Sequence, residues 1–161
     1  MAATDGTALV RFKVAFMALL DNYVSGAIYN SPQKPEDMLA QGTGQAAWWA
    51  DEVDAEIGVT VQKGAPHWFD EVSHPVLRIQ AVGLNTGDTQ AIVDARASQM
   101  LYYAVGILAD NPTVGLTSDD IDTFYALPET YKYSGGLLGE SNRAARFELT
   151  IRLEARLKLD I

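Results

Sequence analysis

Cysteine is absent from all 161 residues, which excludes disulfides, thiolate zinc sites and cysteine nucleophiles and frees the fold from any need for an oxidising compartment. Basic charge is scarce as well: 12 Lys and Arg stand against 21 Asp and Glu, for a formal net charge of -9. That balance opposes binding to nucleic acid or to an anionic membrane through a general basic surface, although an acidic protein can still surround DNA without gripping it. No apolar run reaches the ~20 residues of a membrane span. The closest imitation of a secretory signal, Arg11 and Lys13 followed by Val14 to Leu20, stops at Asp21 with no small-residue cleavage site behind it. The expectation is a chain made and kept in the cytoplasm.

Chemistry-bearing constellations are equally thin. The two histidines, His67 and His74, have no third His and no cysteine to complete a metal site. Glu52, Asp54 and Glu56 would project from one face of a strand, but without calcium-loop spacing they read as a solvated acidic face. Asp119, Asp120 and Asp122 lack the glycine that a calcium loop needs. The stretch Ser134-Gly135-Gly136-Leu137-Leu138-Gly139-Glu140-Ser141 lacks the lysine of a phosphate cradle, and there is no G-x-S-x-G elbow. The sequence therefore points to no catalytic residue, no metal and no cofactor, and the chain is not read as an enzyme.

What is present is hydrophobic patterning, with 48% apolar residues, enough for one globular domain with a real core over 1-161. From Phe147 to Ile161 apolar and polar residues alternate without a miss, the signature of a half-buried strand. Fully extended, this strand would reach roughly 50 Å, against a domain diameter near ~40 Å. It is expected to bend around the domain or project from it, and a projecting end needs a partner for its backbone groups and apolar row.

The spacing predicts a first helix over 5-24 with Leu9, Phe12, Phe16, Leu19, Leu20 and Tyr23 on its apolar stripe, Arg11 on its wetter face, and Lys13 snorkelling at the edge. From 25 to 47 Gly, Pro, Asn, Ser and Gln predominate, which reads as a long loop or arm. Trp48 and Trp49 close it, and because neighbours cannot share one strand face, one indole either covers the sheet from outside or enters an interface. Alternation from Val53 to Gln62 predicts a strand, the segment around His67 to Asp70 reads as irregular, and 75-84 is a further strand. A strong helix over 88-110 ends at Asn111-Pro112, and its all-round apolar second half, Met100 to Leu108, predicts cover on both sides. Residues 119-133 read mostly as strand interrupted at Pro128, followed by a glycine-rich hairpin loop. The sum is an α+β fold: a mainly antiparallel sheet of about four strands with two main helices packed on it, and a long loop insertion after the first.

The basic residues Arg143, Arg146, Arg152, Arg156 and Lys158 gather near the C-terminus, facing solvent, paired with Glu148 and Glu154, or meeting an acidic partner surface. The candidate interface residues are Trp48, Trp49, Tyr131, Tyr133, Arg152, Arg156 and Lys158.

The leading helix, the strand Val76-Leu77-Arg78-Ile79-Gln80-Ala81-Val82-Gly83, the helix from Asp94-Ala95-Arg96-Ala97 to the stop at Asn111-Pro112-Thr113-Val114-Gly115-Leu116, the tyrosine-bearing strand, the glycine loop and Ala145-Arg146-Phe147-Glu148-Leu149-Thr150-Ile151-Arg152-Leu153-Glu154-Ala155-Arg156-Leu157 follow one another in an order that resembles the tail terminator, or tail-completion, proteins of long-tailed bacteriophages. The resemblance covers the first helix and most of the chain after Val53, but not the 25-47 loop. It implies a virion protein at the tail-neck junction, assembled in the host cytoplasm: a homohexameric ring that caps the head-proximal end of the tail tube, stops polymerisation of the tube protein and offers a surface to the neck or head-completion protein, while DNA passes through without specific binding and no membrane is involved. Another phage neck or head-tail connector subunit, and a small α+β ligand-binding domain or enzyme, are the alternatives.

Overall fold

The structure is a computed structural model that describes residues 6-23, 27-28, 44-61, 63, 67-84, 86-138 and 142-159. In chain order the elements are α1 (Ala8–Tyr23), β1 (Ala27–Ile28), β2 (Gly44–Trp49), β3 (Ala55–Thr60), β4 (His67–Ser73), β5 (Val76–Leu84), α2 (Gln90–Asp110), β6 (Ile121–Leu138) and β7 (Asn142–Leu159). The architecture is α+β. Six strands form an open antiparallel sheet, and the two-residue β1 adds a seventh, parallel to β2, at one end. The expected sheet of about four strands is thus larger, because segments read as irregular or loop also pair.

β7 is the axis of the sheet. Along one edge it pairs with β6, from Ile121↔Leu157 to Leu138↔Asn142. Along the other it pairs first with β5, Leu84↔Asn142 to Val76↔Thr150, and then with β4, Ser73↔Leu153 to His67↔Leu159. Pro75 bridges the two partners, its carbonyl accepting the Ile151 N–H at 2.9 Å. The terminal alternation therefore does not mark a projecting end: through Leu157 the strand is paired on both edges, Lys158 and Leu159 still pair with β4, and the unpaired edges among the described residues belong to β6, β3 and β1. Asp160 and Ile161 lie outside the described residues.

Alternation assigns β7 its faces. Phe147, Leu149, Ile151, Leu153, Ala155 and Leu157 are buried on the face that carries the helices, with Leu77, Ile79 and Ala81 of β5 beside them. α1 lays Phe12 and Phe16 on Trp49, with ring centroids 5.7 and 5.8 Å away, and burying each such ring contributes about 1.5–3 kcal/mol. Lys13 holds its ammonium 5.9 Å from the Trp49 ring centroid, as its place at the stripe's edge predicts. α2 buries Val93, Ala97, Met100, Leu101, Ala104, Ile107 and Leu108, and its N-cap Thr89 accepts from the Ile92 N–H at 3.2 Å.

Four local readings change. Ser134 to Leu138, expected in the glycine-rich hairpin loop, continue β6 and pair with Arg146 to Asn142 of β7. Gly44 to Trp49 is a strand, although it fell in and beside the loop expected over 25-47; residues 29-43 lie outside the described residues. His67 to Asp70 is strand too, the start of β4. Arg11, expected on the wet face of its helix, is 4% exposed and clamps Asp120 through two bonds, Nη1 to Oδ1 at 2.9 Å and Nη2 to Oδ2 at 2.6 Å. Its Nε donates to the Gly6 carbonyl at 3.0 Å. Burial of a guanidinium is tolerable when its charge is paired and its N–H groups are donated in this way.

Thr4 and Asp5, either of which the sequence offers as an N-cap for this helix, lie outside the described residues. A tertiary contact serves the same end: the buried Glu71 of β4 takes the Ala8 N–H at 3.1 Å and the Leu9 N–H at 2.8 Å on its two carboxylate oxygens. This neutralises free donors and the positive end of the α1 dipole, fixing α1 above the β4 half of the sheet.

Candidate functional site

The surfaces that the fold leaves unpartnered are its candidate sites. β3 is the first. It pairs with β4 on one edge only, from Ala55↔Ser73 to Thr60↔Trp68, and its other edge meets no described strand. Its registers place Ala55, Ile57 and Val59 on the helix-bearing face, in line with Ser73, Glu71 and Phe69. α1 begins over Glu71 and does not cover them: Ile57 is 66% and Val59 56% exposed, and Val61 just beyond is 69% exposed. An exposed apolar edge strand is an association site unless something blocks it.

β6 supplies the second free edge. Pro128 interrupts it, with a register shift between Pro128 and Thr130, which blunts the edge because proline donates no hydrogen bond. Before this irregularity Tyr125 and Leu127 point to the face away from the helices and are partly exposed; beyond it Tyr131 and Tyr133 point to the helix-bearing face.

The face away from the helices has two parts. Towards β2 it is closed, with Ala46, Trp48, Gln80 and Val82 no more than 3% exposed. The Arg146 guanidinium lies 5.5 Å from the Trp48 ring centroid, and burial together with the nearby Arg78 pushes the Arg146 pKa down from its ordinary value. Towards β4 and the end of β7 the face is open. There Arg152 pairs with Glu154, Arg156 stands 4.9 Å over the Trp68 ring and 3.9 Å from Asp70, and Lys158 is exposed.

The residues expected at an interface are therefore not gathered on one surface. Trp48 and Trp49 are 2% and 0% exposed: they point to opposite faces of β2, as adjacent strand residues must, but both are covered within the chain, which corrects the expectation that one reaches an interface. Tyr131 and Tyr133 flank Phe147 on the helix-bearing face at 5.6 and 5.3 Å. Tyr133 also donates its hydroxyl to Asp94 of α2 at 2.7 Å, and this bond raises the phenol pKa. Arg152, Arg156 and Lys158 do share one surface, the open face. The apolar second half of α2 has cover from the sheet and a flank on α1, where Tyr23 stacks on Tyr103 at 6.4 Å, while Tyr102 points outward at 73% exposure.

The other polar candidates disperse. Glu52 and Asp54 precede β3, so only Glu56 of that trio is in the strand. His74 meets Glu129 at 3.3 Å, while His67 opens β4. Asp120 is a structural anion whose pKa Arg11 holds down at about 2. Sequence reasoning missed the exposure of Ile57, Val59 and Val61, which alternation alone assigns to a core.

No known family model matches the chain, and no curated protein matches it significantly.

Proposed function

We propose that the chain is a structural subunit of a bacteriophage tail: a terminator that assembles as a ring of six on the head-proximal end of the tail tube, ends tube polymerisation and presents a surface to the neck. The observation that carries this reading is that β3 and β6, at different edges of one open sheet, each pair along one side only among the described residues. Two different unpaired edges suit head-to-tail contacts, which close into rings when the rotation between copies permits. The acidic balance, -9 overall, suits a ring through which DNA slides without adhering. Another neck or head-tail connector subunit is the second reading, since it would use the same edges and differ only in what the ring binds.

The distinguishing experiment is capping. Purified protein added to polymerising tail-tube protein shortens and blunts the tubes, with one extra ring of density at a single end in electron micrographs. Tubes of unchanged length, with the protein absent from their ends, would count against a terminator; binding to the isolated head portal instead would favour a connector.

A further inference from the structure

We propose that the contact between copies is made by the acidic, apolar β3 edge of one copy docking on the open basic face of β7 in the next. The inference shares with the proposed function the premise that the chain self-assembles, and it adds which surfaces meet.

The two patches are opposites in charge and alike in exposed apolar area. Asp51, Glu52, Asp54 and Glu56 place four carboxylates within six residues, with no basic residue from Asp51 through Gln62. All four are exposed, and the apolar row of Ile57, Val59 and Val61 follows directly. On the open face, Arg152, Arg156 and Lys158 project from alternate positions of β7, against Glu154 of the same strand and Asp70 of β4. Beside them Tyr125 and Leu127 of β6 are 37% and 43% exposed.

A second copy is the occupant because the chain itself carries both halves. For a protein of net charge -9, approach of like copies is repulsive except where an acidic strip meets a basic one, so the encounter is steered to this pairing. The acidic strip runs from Asp51 into the start of β3 at Glu56, and the run from Arg152 to Lys158 offers it about 20 Å of basic strand on the neighbouring β7. The free edge of β3 also offers backbone donors and acceptors to the copy it approaches.

Charge exchange between the two patches tests this. One variant carries Glu52→Lys, Asp54→Lys and Glu56→Lys; the other carries Arg152→Glu and Lys158→Glu, leaving Arg156 on Trp68. Circular dichroism checks that each is folded, and Glu52→Gln, Asp54→Asn, Glu56→Gln replaces the first if it is not. Light scattering at physiological salt should show each variant alone assembling only at roughly tenfold or higher concentration than wild type. An equimolar mixture of the two charge-reversed proteins should recover the wild-type mass, since each then offers the complement of the other. A wild-type protein that stays a monomer both alone and when mixed with tail-tube protein would overturn both this contact and the ring. Oligomers that persist in either variant, or variants that dissociate and do not reassociate on mixing, would overturn the contact alone. Loss of double-stranded DNA binding in the Arg152→Glu, Lys158→Glu variant at unchanged mass would assign the open face to nucleic acid instead.

Discussion

Asp120→Asn is a one-atom change that removes the charge on which the buried Arg11 depends. Arg11 is 4% exposed and Asp120 28% exposed in side chain, joined by two bonds of 2.9 and 2.6 Å. Breaking a fully buried pair costs about 3–5 kcal/mol because the remaining ion is stranded. Here solvent reaches the Asp120 side, and the amide still accepts one bond, so the expected loss at neutral pH is about 2–3 kcal/mol, near 5–10 °C in Tm for a chain of this size. Arg11→Met should cost less, about 1–2 kcal/mol, since the freed carboxylate can hydrate. The double variant should recover roughly 1–2 kcal/mol of the summed losses, the signature of direct coupling. The same pair sets a pH window. The Asp120 pKa is depressed from 3.8 to about 2, so its contribution is present above pH ~4 and disappears as pH falls through ~2. Urea unfolding followed by tryptophan fluorescence, at pH 7 and at pH 2.5 and constant protein concentration, measures all of this. Asp120→Asn that loses under ~0.5 kcal/mol at pH 7, or that shows the wild-type slope between pH 4 and 2, would refute the assignment.

The same logic reaches other positions. Glu71→Ala strands the Ala8 and Leu9 amides at the start of α1 and should cost about 1–2 kcal/mol in urea, with Glu71→Gln intermediate; equal stability of all three proteins would show that the cap is idle. At Gly83 an added Cβ would stand 2.7 Å from Asp88 Oδ2 and 2.8 Å from Val93 Cγ2, so Gly83→Ala should lose about 1–3 kcal/mol by overpacking where α2 meets β5, read as a lowered Tm. Deleting residues 155-161 removes five of the seven β4 pairs and the start of the β6 pairing from the sheet's central strand. The truncated chain should therefore fail to fold, which circular dichroism would show directly; a folded, cooperatively melting monomer would mean that β7 matters beyond Leu153 only for assembly.

Much of the fold was legible because it obeys simple periods. β7 alternates strictly, β5 was bounded within a residue, and both helices carry clear apolar stripes. β2 was missed because Ala46, Ala47, Trp48 and Trp49 are all buried, and a strand covered on both faces shows no alternation. β4 was missed because its polarity is mixed on both faces: Glu71 and Ser73 join Phe69 on the helix-bearing face, whereas Trp68 and Val72 face away beside Asp70. Glu71 lies there for the sake of α1, 62 and 63 residues distant, and Arg11 is buried for the sake of Asp120, 109 residues distant. No local pattern encodes partners so remote. For the candidate site, the basic residues of β7 were readable from charge and strand parity, but the bare apolar row of β3 was not: period two distinguishes faces and is silent on whether anything covers them.

If the chain works as a ring, as proposed, its mass in solution shows it most directly. Light scattering behind a sizing column should return six chains of 17.5 kDa, about 105 kDa, either for the protein alone or after it is mixed with tail-tube protein. A single-chain mass under both conditions, with no protein carried on the tubes, would contradict it.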